Sequence, residues 1–337
     1  MPNLLALSFE GQVAPSFRLK CLEPGRHRPD GWGLGYYPGS EPSAVVLKEP
    51  APPASSIRSD LVRIWEHLES PLFVLHVRAA RWGSNTLANT QPFARHHGGR
   101  EWLFAHSGNL DTPHDLPTLP PYEPVGSTDT ERLFCAILSR LRERGVGRLA
   151  DLDARELAQW FAEWNRMGSL TNVLTDGLDL CVWADDHGEL CPTLHSFVPP
   201  YERAVFADDD VELDLTQRGA MSRRGVVVSS NALQALGNAS VETSTLRPGD
   251  LVIVRGGVVH REVRAAASTS AARITSAAAV QEARRGASLL PPRAATYRIL
   301  HRTTYSYERE VEHSTHVLKL FPFEDRHQDV DSFDLRV

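Results

Sequence analysis

The sequence predicts an α+β fold in which strands and helices segregate into layers. Three observations carry this. Apolar, β-rich runs such as Leu72 to Ala80 lie on both sides of two helical patterns, near 129–144 and 154–167. They do so without the regular βαβ alternation of a parallel sheet. The hydrophobic share of 42% and charged share of 23% are those of a globular chain with a sizeable core.

Taken in order, Leu4 to Phe9 is a short apolar strand run. Ile57, Leu61, Ile64, Trp65 and Leu68 recur at helical spacing and predict an amphipathic helix over 56–69. Leu72 to Ala80 reads as a buried strand, and Trp102 to His106 as another, ending at a turn signal in Ser107-Gly108-Asn109. The helix from Asp129 opens on Thr128-x-x-Glu131, a capping box whose hydroxyl and carboxylate take up free amide donors. Trp160 and Trp164, at i and i+4 on the next helix, are core. Strands follow at Thr171–Leu174, Leu178–Ala184, Gly225–Ser229, Asp250–Arg255 and Val258–Val263, the last two joined by a Gly256-Gly257 hairpin turn. From Ala265 to Ala295, 12 of 31 residues are Ala and none is aromatic, so this stretch reads as a linker. It separates a block at 1–264 from a tail at 296–337.

A net charge of -6 without a basic block argues against nucleic acid or an anionic membrane as partner. No apolar run approaches the ~20 residues of a membrane span, and the first ten residues lack a signal peptide's basic start. Cys21, Cys135, Cys181 and Cys191 are widely spaced, which suits buried thiols in a reducing, cytoplasmic compartment and supports no metal site. His96-His97 reads as a solvated loop pair, and Asp208-Asp209-Asp210 as a charged turn before a strand.

Four places carry chemistry. Asp30-Gly31-Trp32-Gly33-Leu34-Gly35 is better read as a tightly packed strand than as a phosphate cradle. Arg78, emerging from a buried strand, needs a planar acidic partner, either internal or a ligand. Asn89-Thr90-Gln91-Pro92-Phe93 is a polar turn. His106-Ser107-Gly108-Asn109 offers a glycine amide to an oxyanion, and Asp129 at a helix start suits an ammonium group or simply the helix dipole.

In this order the motifs resemble the class II glutamine amidotransferases of the small bacterial stand-alone type, over most of 1–264. The resemblance implies the N-terminal-nucleophile hydrolase fold, a four-layer αββα sandwich, and a pocket for glutamine or a γ-glutamyl group with no cofactor. By position, Arg78 would hold the α-carboxylate and Asp129 the α-ammonium; Asn89, Thr90 and Gln91 would line the pocket, and Gly108 would supply an oxyanion amide. Two positions depart from the family. Pro2 stands where the family has its nucleophilic Cys, and Ser107 where it has an Asn that completes the oxyanion hole. Ordinary glutaminase chemistry is therefore not expected. The alternatives are a hydrolase or lyase using the Pro2 amine, or a structural and recognition module serving a transglutaminase-like protease. The tail, with Tyr297-Arg298-Ile299-Leu300-His301 and His316-Val317-Leu318-Lys319-Leu320-Phe321-Pro322, resembles the start of the bacterial transglutaminase-like N-terminal β region. That module, in cis or in trans, and an amino-acid-like small molecule are the implied partners.

Overall fold

The computed structural model describes residues 3–20, 29–50, 68–78, 84–189, 191–216 and 223–265. Pro2, Cys21, most of the expected helix at 56–69, nearly all of the linker and the whole tail lie outside the described residues.

A first sheet contains β1 (Asn3–Val13), β3 (Gly31–Tyr36), β4 (Val45–Glu49), β5 (Ser70–Arg78), β10 (Thr193–Val198), β13 (Gly225–Ser229) and β15 (Ser240–Thr245). A second contains β6 (Phe93–His97), β7 (Arg100–Leu110), β8 (Gly168–Thr175), β9 (Asp179–Trp183), β16 (Leu251–Arg255) and β17 (Val258–Val263). A small third sheet is made of β2 (Ser16–Leu19), β11 (Ala204–Ala207), β12 (Val211–Asp214) and β14 (Gln234–Gly237). Two helices, α1 (Asp129–Glu143) and α2 (Ala154–Asn165), fall between β7 and β8. The first sheet runs β15-β10-β13-β1-β5-β3-β4 and the second β17-β16-β9-β8-β7-β6, with antiparallel neighbours throughout.

The layers follow from strand alternation. Leu4 and Ala6 of β1 and Leu72 and Val74 of β5 join Leu103, Ala105 and Val173 of the second sheet in one buried cluster between the two large sheets. Phe104, Leu170 and Leu174, on the other face of the second sheet, pack with Leu133, Phe134, Ile137, Phe161 and Trp164 of the helices. Leu5, Leu7 and Phe73 face outward from the first sheet and bury against Phe17, Phe206 and Leu213 of the third. The result is the α+β sandwich expected, with a third sheet on the outer face of the first.

The glycine-rich β3 shows why its pattern is a strand. Trp32, Leu34 and Tyr36 belong to the outward cluster, which turns Gly31, Gly33 and Gly35 toward the second sheet. A Cβ at Gly33 would overlap the Gln91 carbonyl oxygen, and one at Gly35 would lie 2.7 Å from Leu103 Cδ1. The glycines admit the Asn89–Phe93 segment against the sheet. At the far end of the fold, Gly256 (φ 55°) and Gly257 (φ 73°) form the hairpin turn that the sequence signalled.

Two expectations are corrected. Ser107-Gly108-Asn109 is no turn, because β7 continues to Leu110 and pairs with β8 along its length, Gly108 opposite Leu170. Nor are His96-His97 a solvated loop. They end β6, and the His97 ring is buried, its Nε2 donating to the Val146 carbonyl (2.7 Å) and its Nδ1 2.6 Å from Tyr122 Oη. Burial lowers the pKa of His97, and the backbone bond to Val146 offsets this in part.

Candidate functional site

The candidate site residues sit at the ends of β5 and β7, on the 84–91 segment and at the start of α1, each held by hydrogen bonds. Arg78 is the last residue of β5, on the face turned to the second sheet, and only 4% exposed. Its Nη1 donates to Asn85 Oδ1 at 2.9 Å and, at 3.5 Å, to the Ser84 carbonyl. Burial lowers the guanidinium pKa, and the nearby Asp30 carboxylate counters it. Of the two partners the sequence left open, the structure thus supplies an internal acid, reached through an amide.

Asn89 carries the connection onward. Its Nδ2 donates to the Ser84 carbonyl (3.0 Å) and Ser127 Oγ (3.2 Å), and its Oδ1 accepts from the Ser127 amide at 2.8 Å. Both ends of one buried carboxamide therefore staple the 84–90 loop to the entry of α1. Thr90 Oγ1 donates to the Thr86 carbonyl, while Lys48 Nζ donates to the Thr90 carbonyl. Gln91 grips β7: its Oε1 accepts from the His106 amide (2.7 Å) and its Nε2 donates to the His106 carbonyl (3.1 Å). These three residues, expected to line a pocket, spend most of their described polar atoms on holding the loop in place.

At the start of α1, Thr128 Oγ1 accepts from the Glu131 amide (3.2 Å), which is half of the expected capping box. The other half differs. Glu131, 1% exposed, accepts instead from the amides of Val125 (3.1 Å) and Gly126 (2.6 Å) and pairs with Arg95. The donors it satisfies lie before the cap, so Glu131 fixes the approach to the helix. Asp129 Oδ2 accepts from the Leu110 amide (2.9 Å), and Oδ1 from the Thr130 amide (2.8 Å). The carboxylate thereby locks the end of β7 to the helix. Two oxygens with about four lone-pair sites keep acceptor capacity for an ammonium group.

Gly108 has φ +147°, and a Cβ there would overlap the Ser169 carbonyl oxygen and lie 2.7 Å from His106 Nε2. Only glycine fits. Ser107, on the same face of β7 as Leu103 and Ala105, is 1% exposed, and its Oγ has no hydrogen-bond partner among the described residues. His76, two residues before Arg78 on the same face of β5, is likewise buried, with Nδ1 unpartnered. Burial, with His106 and Arg78 adding, pushes its pKa down to about 3, so the ring is neutral at physiological pH. The backbone of His106 opposes that shift, which places the His76 ring against the stretch of β7 that carries Ser107. Buried orphan polar groups at one spot in the layer between the sheets are unfavourable unless something occupies them. His76 precedes Arg78 in the motif His76-Val77-Arg78 that shares in the family resemblance, but no local pattern assigns the ring a role, since that depends on burial between sheets.

Three side chains elsewhere gather potential metal ligands: Asp185, Asp186 and His187 bring ligand atoms within 4.8 Å of one another. Asp185, fully buried, accepts from Asn165 Nδ2 (2.7 Å) and from the amides of Leu170 (2.8 Å) and Glu189 (3.1 Å), which suits a structural role. Asp208 Oδ1 accepts from the Asp210 and Val211 amides, the turn before a strand that the sequence indicated. Among the described residues no helix is long and apolar enough to cross a membrane.

Two antiparallel sheets packed face to face, with helices on the outer face of one, form the α+β sandwich of the N-terminal-nucleophile hydrolase fold. Comparison with known proteins agrees. The family "Glutamine amidotransferases class-II" matches residues 1–279, and the "Bacterial transglutaminase-like N-terminal region" matches residues 297–337. The chain belongs to the class II glutamine amidotransferases. It is 30% identical over 237 residues to "Putative glutamine amidotransferase YafJ" of Escherichia coli, covering 69% of this chain and 87% of YafJ. An uncharacterised protein of Methanocaldococcus jannaschii is 28% identical over 261 residues, covering 76% of this chain and 70% of that protein. The crystal structure of a predicted glutamine amidotransferase from Pseudomonas aeruginosa superposes with a TM-score of 0.55 at 25% identity, covering 76% of this chain and 98% of that one.

Proposed function

We propose that this class II amidotransferase domain recognises glutamine or a γ-glutamyl group without ordinary glutaminase turnover, and does so in the cytoplasm. The observation that carries the reading is a contrast. Arg78, Asn89, Gln91 and Asp129 are each held by hydrogen bonds to their surroundings, while position 2 is Pro and position 107 is Ser. A thioester needs a thiol, and an oxyanion hole short of one donor loses about 10²–10³-fold in rate. Recognition needs neither. Arg78 would accept the α-carboxylate in its fork of donors and Asp129 the α-ammonium, the opposed charges that a zwitterion requires. The Gly108 amide and the Ser107 hydroxyl would face the side-chain carbonyl. The transglutaminase-like region in the same chain supports a role in which this recognition serves that module.

Calorimetry on the full chain tests the reading. Glutamine is expected to bind with a micromolar-to-millimolar dissociation constant, about -8 to -4 kcal/mol. Arg78→Ala should abolish binding and Pro2→Cys should leave it nearly intact, while the wild type releases no ammonia from glutamine. Equal signals from wild type and Arg78→Ala, or ammonia release blocked by a thiol-alkylating reagent, would refute it.

A further inference from the structure

Asp30, the acid that opens the glycine-rich strand, and Asn85 appear above only as neighbours of Arg78, with no role toward a ligand. We propose that the two form a relay that sets which edge of the Arg78 guanidinium meets a ligand carboxylate, making Asn85 a positioning residue. The proposal rests on the recognition reading above and extends it to residues outside the pocket.

The geometry is a chain of three polar groups. Arg78 Nη1 donates to Asn85 Oδ1 at 2.9 Å, and Asn85 Nδ2 donates to Asp30 Oδ1 at 3.2 Å. The Asp30 amide returns to the Arg78 carbonyl at 2.8 Å, and Gly31 pairs with Arg78 in the sheet, so both ends of the relay hang on one strand pair. A primary amide has a donor end and an acceptor end, whereas a carboxylate only accepts. Asp30 therefore selects the flip of Asn85 that turns its oxygen to the guanidinium. A guanidinium is a rigid planar fork, so engaging Nη1 sets the plane of the whole group. Asn85 is exposed and Arg78 buried, which puts the relay on the solvent side of the arginine.

An amide at this place orients the arginine without neutralising it. A carboxylate in the same position would form a charge-assisted pair with the guanidinium and compete with the ligand for it. The near-isosteric change Asn85→Asp thus separates orientation from simple packing. Glutamine and its α-carboxamide analogue are titrated calorimetrically into the full chain. Asn85→Asp is expected to weaken glutamine by about 10-fold or more, the size of one lost charge-assisted contact, and the α-carboxamide by less than about 3-fold. Asp30→Asn, which frees the amide to flip, should move the pair of affinities in the same direction by less. Equal weakening of both ligands, or none, overturns the relay.

A ligand-free measurement keeps the two readings distinct. Nitrogen NMR of the Arg78 guanidinium should show hindered Cζ–Nη rotation in the wild type, released in Asn85→Ala. Free rotation in the wild type overturns the relay whatever binds. Hindered rotation together with glutamine binding that is indifferent to Arg78→Ala would refute the recognition reading and leave the relay standing.

Discussion

The two charged ends of the site are held by different means. Asp129 is anchored by backbone amides, one from β7 and one from its own helix, and its neighbour Glu131 by two more amides and Arg95. Arg78 leans on a loop, through the side chain of Asn85 and a long contact to the Ser84 carbonyl. The acidic end is thus part of the folding unit, and changes there should register in global stability. The cationic end meets an exposed side chain, Asn85, and changes to that side chain should register in ligand affinity and hardly in stability.

The strongest test of this contrast is Gly108→Ala. The added methyl meets the Ser169 carbonyl oxygen in a backbone conformation that L side chains rarely adopt. Denaturant unfolding should show a loss of about 3 kcal/mol or more. Gly99→Ala, also at positive φ (80°) but with nothing within 4 Å of the new Cβ, should cost only about 1 kcal/mol. Similar losses at both would mean that crowding at β8 is not what requires the glycine.

Glu131→Ala should destabilise by about 2–4 kcal/mol, because it leaves the Val125 and Gly126 amides and Arg95 without their buried partner. Asn85→Ala should cost less than about 0.5 kcal/mol, as an exposed polar side chain. If the two lose equal stability, the distinction between the ends fails.

His76 gives the contrast a pH signature. Its folded pKa of about 3 lies below the ordinary 6.5, so the unfolded chain binds the extra proton and stability falls as pH drops from 6.5 toward 3. Above 6.5 the ring is neutral in both states and the contribution is constant. Melting curves across this window should be flatter for His76→Gln than for the wild type; superimposable slopes would count against a buried neutral imidazole. Thr128→Ala should cost about 1 kcal/mol for one lost cap bond, read from unfolding curves at neutral pH.

Much of the architecture was legible residue by residue. The alternation of Gly31, Gly33 and Gly35 with Trp32, Leu34 and Tyr36 announced a strand pressed closely on one face, and β3 is that strand. Thr128 and Asp129 marked a helix start to the residue, since capping is local chemistry. Trp160 and Trp164 are buried as their spacing implied, and they flank the Arg140 guanidinium at 5.4 and 4.7 Å. Ser107-Gly108-Asn109 misled because serine, glycine and asparagine signal turns by composition, while here the partner strand β8 carries β7 straight through. His97 misled for a similar reason: the hydroxyl and carbonyl that bury it come from Tyr122 and Val146, 25 and 49 residues away.

By itself the sequence determined what is governed by neighbours along the chain: the helix caps, the hairpin at Gly256-Gly257, the alternation that sorts side chains to the faces of a sheet, and the family to which those motifs belong. Tertiary structure decided what depends on groups distant in sequence. It made His76 a neutral buried ring against β7, and it left the Ser107 hydroxyl without a partner among the described residues. It also connected Arg78 to Asp30 through Asn85, across 48 residues of chain. Propensity and spacing act over a few residues, whereas desolvation and hydrogen-bond partnership are set by whichever surfaces packing brings together.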